Sequence, residues 1–187
     1  DQPLGKTAGM WCEINESIQA LKGNGAIDLM DVVFELGNKL IIDSGLTDTR
    51  SKATEMQIQC IDSGNAYDKF EEMVFNQGGY IGKTSELNEP LFSKKVISEK
   101  NGFIKSFDTT ALGWAAVQMG CGRINKNDNL DNTAGIAFNA KVGDQVNKGD
   151  SIMQCFGSDK NKLDQAYSQL KETFQIAEGK VESQAMI

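Results

Sequence analysis

Histidine is missing from all 187 residues. Without imidazole there is no Ser-His or Cys-His nucleophile pair, no imidazole zinc ligand and no histidine general base, so chemistry done by this chain alone would fall to carboxylates and lysines. No run approaches the ~18 consecutive apolar residues that a membrane-crossing helix requires. Positive charge is also scarce: 19 Lys and Arg stand against 26 Asp and Glu, for a net charge of −7. The acids are scattered rather than gathered in a tail, and no basic face is left to track phosphates, which argues against a nucleic-acid partner. The four cysteines, Cys12, Cys60, Cys121 and Cys155, never form a CxxC pair. Their apolar and glycine neighbours predict reduced, packed thiols in an intracellular, cytoplasmic protein and no sulfur-bound metal. The opening Asp1-Gln2-Pro3-Leu4-Gly5 lacks an initiator methionine, a positive leader and an apolar signal core, so the start reads as internal and the chain as a fragment or processed product.

What is present is an ordinary globular mixture, 40 % apolar and 24 % charged, long enough for one domain or two small ones. No repeat of ~20 to 50 residues and no low-complexity tract interrupts it. Residues 11–77 read as helices. Ile14, Ile18 and Leu21 recur at helical spacing before Gly23-Asn24-Gly25, a stop signal. Asp28 is the expected cap of a longer helix whose stripe is Leu29, Val32, Val33, Leu36, Leu40 and Ile41, ending near Gly45. Thr47 or Asp48 then opens a third helix running to Asp62-Ser63-Gly64, and Asn65 or Ala66 a fourth carrying Phe70, Met73 and Val74. Each would bury one face and must pack on something.

The polar, glycine-bearing stretch 78–90 is the expected domain boundary, after which the texture turns to β. Val96–Ser98 and Phe103–Phe107 are β-prone, and Lys100-Asn101-Gly102 between them predicts a tight hairpin. Asp108 or Thr109 should cap a helix through Leu112, Ala115, Ala116 and Met119 that ends at Gly120. Strands are expected over Gly135–Ala140 and Ser151–Phe156. The last helix, capped by Ser158 or Asp159, should show Leu163, Ala166, Tyr167, Leu170, Phe174 and Ala177 on one face. This second segment is an α+β unit with a mostly β core.

Three motifs merit a chemical reading. Gly78-Gly79-Tyr80-Ile81-Gly82-Lys83-Thr84 ends like a phosphate loop, but Gln77 stands where the first glycine belongs and no strand enters, so it reads as a loop. Lys141-Val142-Gly143-Asp144 to Gly149-Asp150-Ser151-Ile152 looks like the loop-and-strand unit of biotinyl and lipoyl carriers. The acceptor lysine between hydrophobic residues is missing, since Gly157-Ser158-Asp159-Lys160 follows the strand; a structural unit is the better reading. In Gly120-Cys121-Gly122-Arg123 through Asp131, Arg123 could grip an anion, but pairing inside its own loop with Asp128 or Asp131 is favoured. Glu13 and Glu16, three apart, can share one helix edge.

Two blocks carry a resemblance. The first is Asp1-Gln2-Pro3-Leu4-Gly5 with Gly9, Glu13, Glu16, Leu21-Lys22-Gly23-Asn24-Gly25 and Asp28-Leu29. The second is Ala111, Gly120-Cys121-Gly122-Arg123, Asp128, Asp131, Gly135, Val142-Gly143-Asp144, Val146 and Lys148-Gly149-Asp150. In order and spacing they resemble the C-terminal portion of the thymidine phosphorylase family of pyrimidine-nucleoside phosphorylases. The resemblance implies an α/β (α+β) fold: residues 1–90 as the helical part of a large α/β domain, and residues 91–187 as an α/β-hammerhead-type C-terminal domain. It implies a pentosyltransferase reaction, thymidine or uridine plus phosphate giving free base and pentose 1-phosphate, with phosphate as co-substrate and no required cofactor. It also implies a homodimer when complete. The family's phosphate loop, active-site histidine and base-gripping residues lie upstream, so no catalytic or substrate-binding residue is assignable here and the chain alone should be inactive. By motif position a hinge cation, monovalent or calcium, would be held by the carbonyls of Leu4 and Thr7 and by the carboxylate of Glu16. The missing N-terminal part would have to complete that shell. Two rivals remain, a non-catalytic scaffold derived from this family and a carrier domain.

Overall fold

The computed structural model describes residues 2–82 and 87–182. Residues 83 and 84 of the phosphate-loop-like stretch, and residues 83–86 of the expected boundary, lie outside the described residues. The protein divides into two compact units, residues 2–14 with 87–182, and residues 15–82. Helices and two antiparallel sheets together make a mixed α/β protein.

In the β-rich unit the strands are β1 Thr7–Gly9, β2 Phe92–Ile97, β3 Gly102–Phe107, β4 Gly135–Phe138, β5 Gln145–Val146, β6 Ser151–Gly157 and β7 Phe174–Ala177. One sheet runs β1-β4-β6-β2 and the other β5-β3-β7. Helix α5, Thr109–Ala116, continues into a wider π turn over Val117–Cys121 that closes at Gly120, φ +110°; helix α6 spans Lys160–Leu170. The two helices pack on each other, and α6 lies against β2 and β6. Between them sits an apolar core in which Val96, Ile104, Ile136, Ile152, Met153, Leu163 and Leu170 are fully buried. Phe107 and Phe138 meet edge to face, 6.3 Å between centroids, joining the sheets.

Capping chemistry sets the helix starts. The Asp108 carboxylate accepts from Ala111 N–H at 2.9 Å. Asp159 accepts from Asn161 at 2.9 Å and Lys162 at 3.1 Å, so each satisfies donors that the helix itself cannot.

Several expectations are corrected. The Asn101-Gly102 turn makes no hairpin: β2 pairs with β6 and β3 with β5 and β7, so the turn carries the chain from one sheet to the other. The Asn101 side chain bonds Lys148 N–H at 2.7 Å instead of its own turn. The last helix ends at Leu170, and Phe174–Ala177 is a strand on β3. Strands β1 and β5 were not expected at all; they are short, and β1 is extended chiefly because β4 pairs with it.

The second unit contains α1 from Asn15 onward (the helix spans Trp11–Leu21), α2 Ile27–Asp43, α3 Arg50–Asp62 and α4 Asn65–Asn76. The caps differ from expectation: Ala26 rather than Asp28 precedes α2, and Thr49, accepting from Lys52 N–H at 3.4 Å, starts α3. Helices α2 and α3 meet through a polar clasp. Buried Asn38 accepts from Thr54 at 3.0 Å and Gln57 at 2.9 Å, and Gly37 leaves the room that Gln57 fills. Buried apolar side chains in this unit are few and small: Ile18, Ala20, Ala26 and Ala53. The α2 stripe is instead open, with Leu36 61 % and Leu40 70 % exposed. Cys60 is likewise exposed, contrary to the packed thiol expected.

Candidate functional site

The first residues are drawn onto the β-rich unit by a set of contacts reaching across the sequence. Strand β1 pairs with β4 in the register Thr7↔Ala137 and Gly9↔Gly135. Phe138 N–H bonds the Lys6 carbonyl at 2.8 Å and Met10 N–H bonds the Ala134 carbonyl at 3.2 Å. Residues 6 and 10 therefore form the bonded pairs, and the alternation of an antiparallel ladder turns the N–H and C=O of Thr7 and Gly9 away from β4. Gly9 N–H takes the Glu13 carboxylate at 2.6 Å, so Glu13 closes the start of α1. Glycine is required at 9, where a Cβ would stand 2.6 Å from the Ala134 carbonyl, and a Cβ on Gly135 would press on Cys12 Sγ at 2.6 Å.

Ahead of β1, the Lys141 ammonium donates to the carbonyls of both Pro3 and Gly5, and Gln2 accepts from Val142 N–H at 2.9 Å. The Pro3–Gly5 turn thus presents carbonyl oxygens to a cation, and the cation it holds is a side chain 136 residues away from Gly5. Sequence reading missed Lys141; nothing local to the Val-Gly-Asp turn signals that its predecessor reaches the N-terminal segment. Of the three cation residues expected, Leu4 and Thr7 stand in the β-rich unit and Glu16 in the helical one. Thr7 turns its carbonyl away from β4. Among the described residues, no group of three or more Cys, Asp and Glu side chains could hold a metal ion.

The loop after α5 keeps its charges to itself. Arg123 Nε donates to the Asp128 backbone carbonyl at 3.3 Å, which makes the pairing intraloop, though through carbonyl rather than carboxylate. The Asp128 carboxylate accepts from Asn125 N–H at 2.8 Å and Ile124 N–H at 3.1 Å, and these bonds hold it below the usual carboxylate range. Asp131 ties the loop to the end of β6: one oxygen takes the Thr133 N–H and hydroxyl at 3.0 and 2.6 Å, the other Ser158 N–H at 2.6 Å. Burial pushes its carboxyl up, but these bonds and the nearby Lys162 charge outweigh burial and leave it below its ordinary value. Such a knot is structural, and it presents no nucleophile or base to a substrate.

Two thiols are equally inert. Burial pushes Cys121 up to about 12, helped by neighbouring Cys12, and Cys155 up to about 11, so neither forms a thiolate near neutrality. The turns at Gly143 and Gly149, φ +94° and +96°, shape the carrier-like unit, with Val146 and Ile152 buried beneath it.

Residues 103–177 match the pyrimidine nucleoside phosphorylase C-terminal domain. A pyrimidine-nucleoside phosphorylase of Staphylococcus aureus strain bovine RF122 / ET3-1 is 32 % identical over 181 residues, 95 % of this chain and 42 % of that protein. That of strain USA300 is 31 % identical over the same shares. The chain therefore spans less than half the length of these relatives. Residues 103–177 are thus similar to the pyrimidine nucleoside phosphorylase C-terminal domain, within a chain similar along almost its whole length to pyrimidine-nucleoside phosphorylases.

Proposed function

We propose that this chain is the supporting wall of a pyrimidine-nucleoside phosphorylase, inactive alone and completed by an N-terminal part of the same protein. The complete enzyme, a cytoplasmic homodimer, would convert thymidine or uridine and phosphate to free base and pentose 1-phosphate. One observation carries the reading: the helical unit lacks a core of its own. Ile27, Leu36 and Leu40 on α2 stand 82 %, 61 % and 70 % exposed, while α2 and α3 are joined by amides and hydroxyls. A helix layer with a polar seam and an apolar outer face is built to lie on another layer. The relatives are more than twice as long, which supplies the residues for that layer. Phosphorolysis needs phosphate held and the departing pyrimidine anion neutralised by fixed donors. Among the described residues no such set is assembled, and the chain has no histidine.

The test is reconstitution. Mixed or co-expressed with the N-terminal part of its parent protein, the chain should form a stable complex that releases uracil or thymine only when phosphate is present. Nucleoside cleavage by the isolated chain would overturn the reading, and a stable, inactive complex would favour a scaffold derived from this family.

The hinge cation belongs to the same proposal. Thr7 contributes a carbonyl turned out from the sheet edge, Leu4 lies within the carbonyl-bearing turn, and Glu16 adds the carboxylate, since Glu13 is engaged by Gly9. A bound monovalent or calcium ion would neutralise the charge on these oxygens. In the reconstituted protein, Glu16→Gln should weaken calcium binding by roughly tenfold in calorimetry, an effect of about 1.4 kcal/mol; unchanged binding would remove Glu16 from the site.

A further inference from the structure

Three lysines from three separate elements converge on one groove of the β-rich unit. Lys100 comes from the β2–β3 connection, Lys148 from the turn between β5 and β6, and Lys171 from the end of α6. The groove has a volume of about 1110 Å³, and its lining holds one acid, Glu99. None of the three makes an ion pair among the described residues, and Lys171 lies 5.4 Å from the centroid of the Tyr167 ring on the groove's wall. Positive charge concentrated on a chain of net charge −7 is complementary to an anion.

The shape of the anion follows from the groove's wall, which is strand β7. That strand is an edge, since the sheet runs β5-β3-β7. Asp108 N–H bonds the Thr173 carbonyl at 2.7 Å, so the next pair, Phe107↔Phe174, is the unbonded one. Ile104, opposite Ile176, spends its N–H and C=O on the Asp144 carbonyl and Gly143 N–H, both at 2.9 Å. Phe174 and Ile176 consequently turn their N–H and C=O groups away from β3, at the sheet edge that lines the groove. Two residues at i and i+2 with outward backbone groups are what an added strand reads.

We propose that this groove takes an extended acidic peptide segment, added to β7 as a fourth strand with its carboxylates among Lys100, Lys148 and Lys171. The site is separate from the phosphorolysis reading and does not depend on it.

The test uses the whole 187-residue chain and a fluorescent peptide of alternating Glu and Thr, followed by anisotropy at low and physiological salt. The acidic peptide should bind and weaken as salt rises, and its Lys-Thr counterpart should not bind. The triple variant K100E/K148E/K171E, with its fold checked by circular dichroism, should lose affinity by at least roughly tenfold. Methylating alternate backbone nitrogens of the peptide should abolish binding. Absence of binding, indifference to charge reversal, or equal binding of the methylated peptide would each overturn the proposal. The first two outcomes would leave the lysines as guards of an exposed edge; the third would make the groove a general anion site. Competition by inorganic phosphate at concentrations matched in ionic strength to a chloride control would also overturn it.

Discussion

At the scale of single residues, a few long-range side-chain contacts hold what backbone pairing alone would leave loose. Lys141 is the clearest. Its ammonium satisfies two carbonyls of the Pro3–Gly5 turn, and methionine would keep its bulk while leaving both oxygens without a donor. Lys141→Met should therefore speed amide exchange in residues 2–9 and at Val142 while leaving β6 and α6 protected; uniform exchange across the unit would show that Lys141 has no local role. Asp131 makes the second prediction. Its folded carboxyl lies below the ordinary range, so its contribution is complete above the unfolded pKa of ~3.9 and fades as pH falls through the lower folded value. Asp131→Asn keeps the size but replaces an acceptor oxygen by a donor facing Ser158 N–H or Thr133. A loss of about 1.5–3 kcal/mol at neutral pH is expected in urea titrations, shrinking towards pH 3. A constant loss across that range would exclude the charged form as the source.

At the scale of elements, chain-local signals were readable and partner-dependent ones were not. Asp108 and Asp159 announce their helices because a cap bonds donors two or three residues away. Gly120 announces the end of α5 because a positive φ strains other residues. The Asn101-Gly102 pair misled because its turn chemistry is indifferent to whether the flanking strands meet each other; the partner of β2 lies beyond residue 150. Phe174–Ala177 continued an apolar helical period, yet β3 offered it a ladder, and tertiary pairing overrode the period. The candidate cation segment was recognisable by resemblance alone, while Lys141, which grips the same turn, had no signal within reach. Gly120→Ala tests the turn directly. The added Cβ would sit 2.9 Å from Asp131 Cβ in a backbone of φ +110°, so a cost of roughly 1–3 kcal/mol is expected. A melting temperature within a degree of the parent would show that the π turn relaxes freely.

At the scale of the whole molecule, the two units differ in what holds them. The β-rich unit closes a continuous apolar core around Ile104, Ile136, Ile152, Met153 and Leu163 and contains the residues that match a known domain. The helical unit relies on Asn38, Thr54 and Gln57, and shows Ile27, Leu36 and Leu40 to solvent. On the proposed reading the open α2 stripe is a docking face, and it supplies a means of separating assembly from folding. Leu36 and Leu40 are already exposed, so changing both to Glu should leave the isolated chain's helicity and unfolding midpoint nearly unaltered. The same double change should prevent complex formation with the N-terminal part, because two carboxylates would be buried without partners. Size-exclusion chromatography of the mixture reads the difference: wild type elutes as one assembled species, and L36E/L40E as two. If the double variant assembled normally, the α2 stripe would not be the docking face of the proposed assembly.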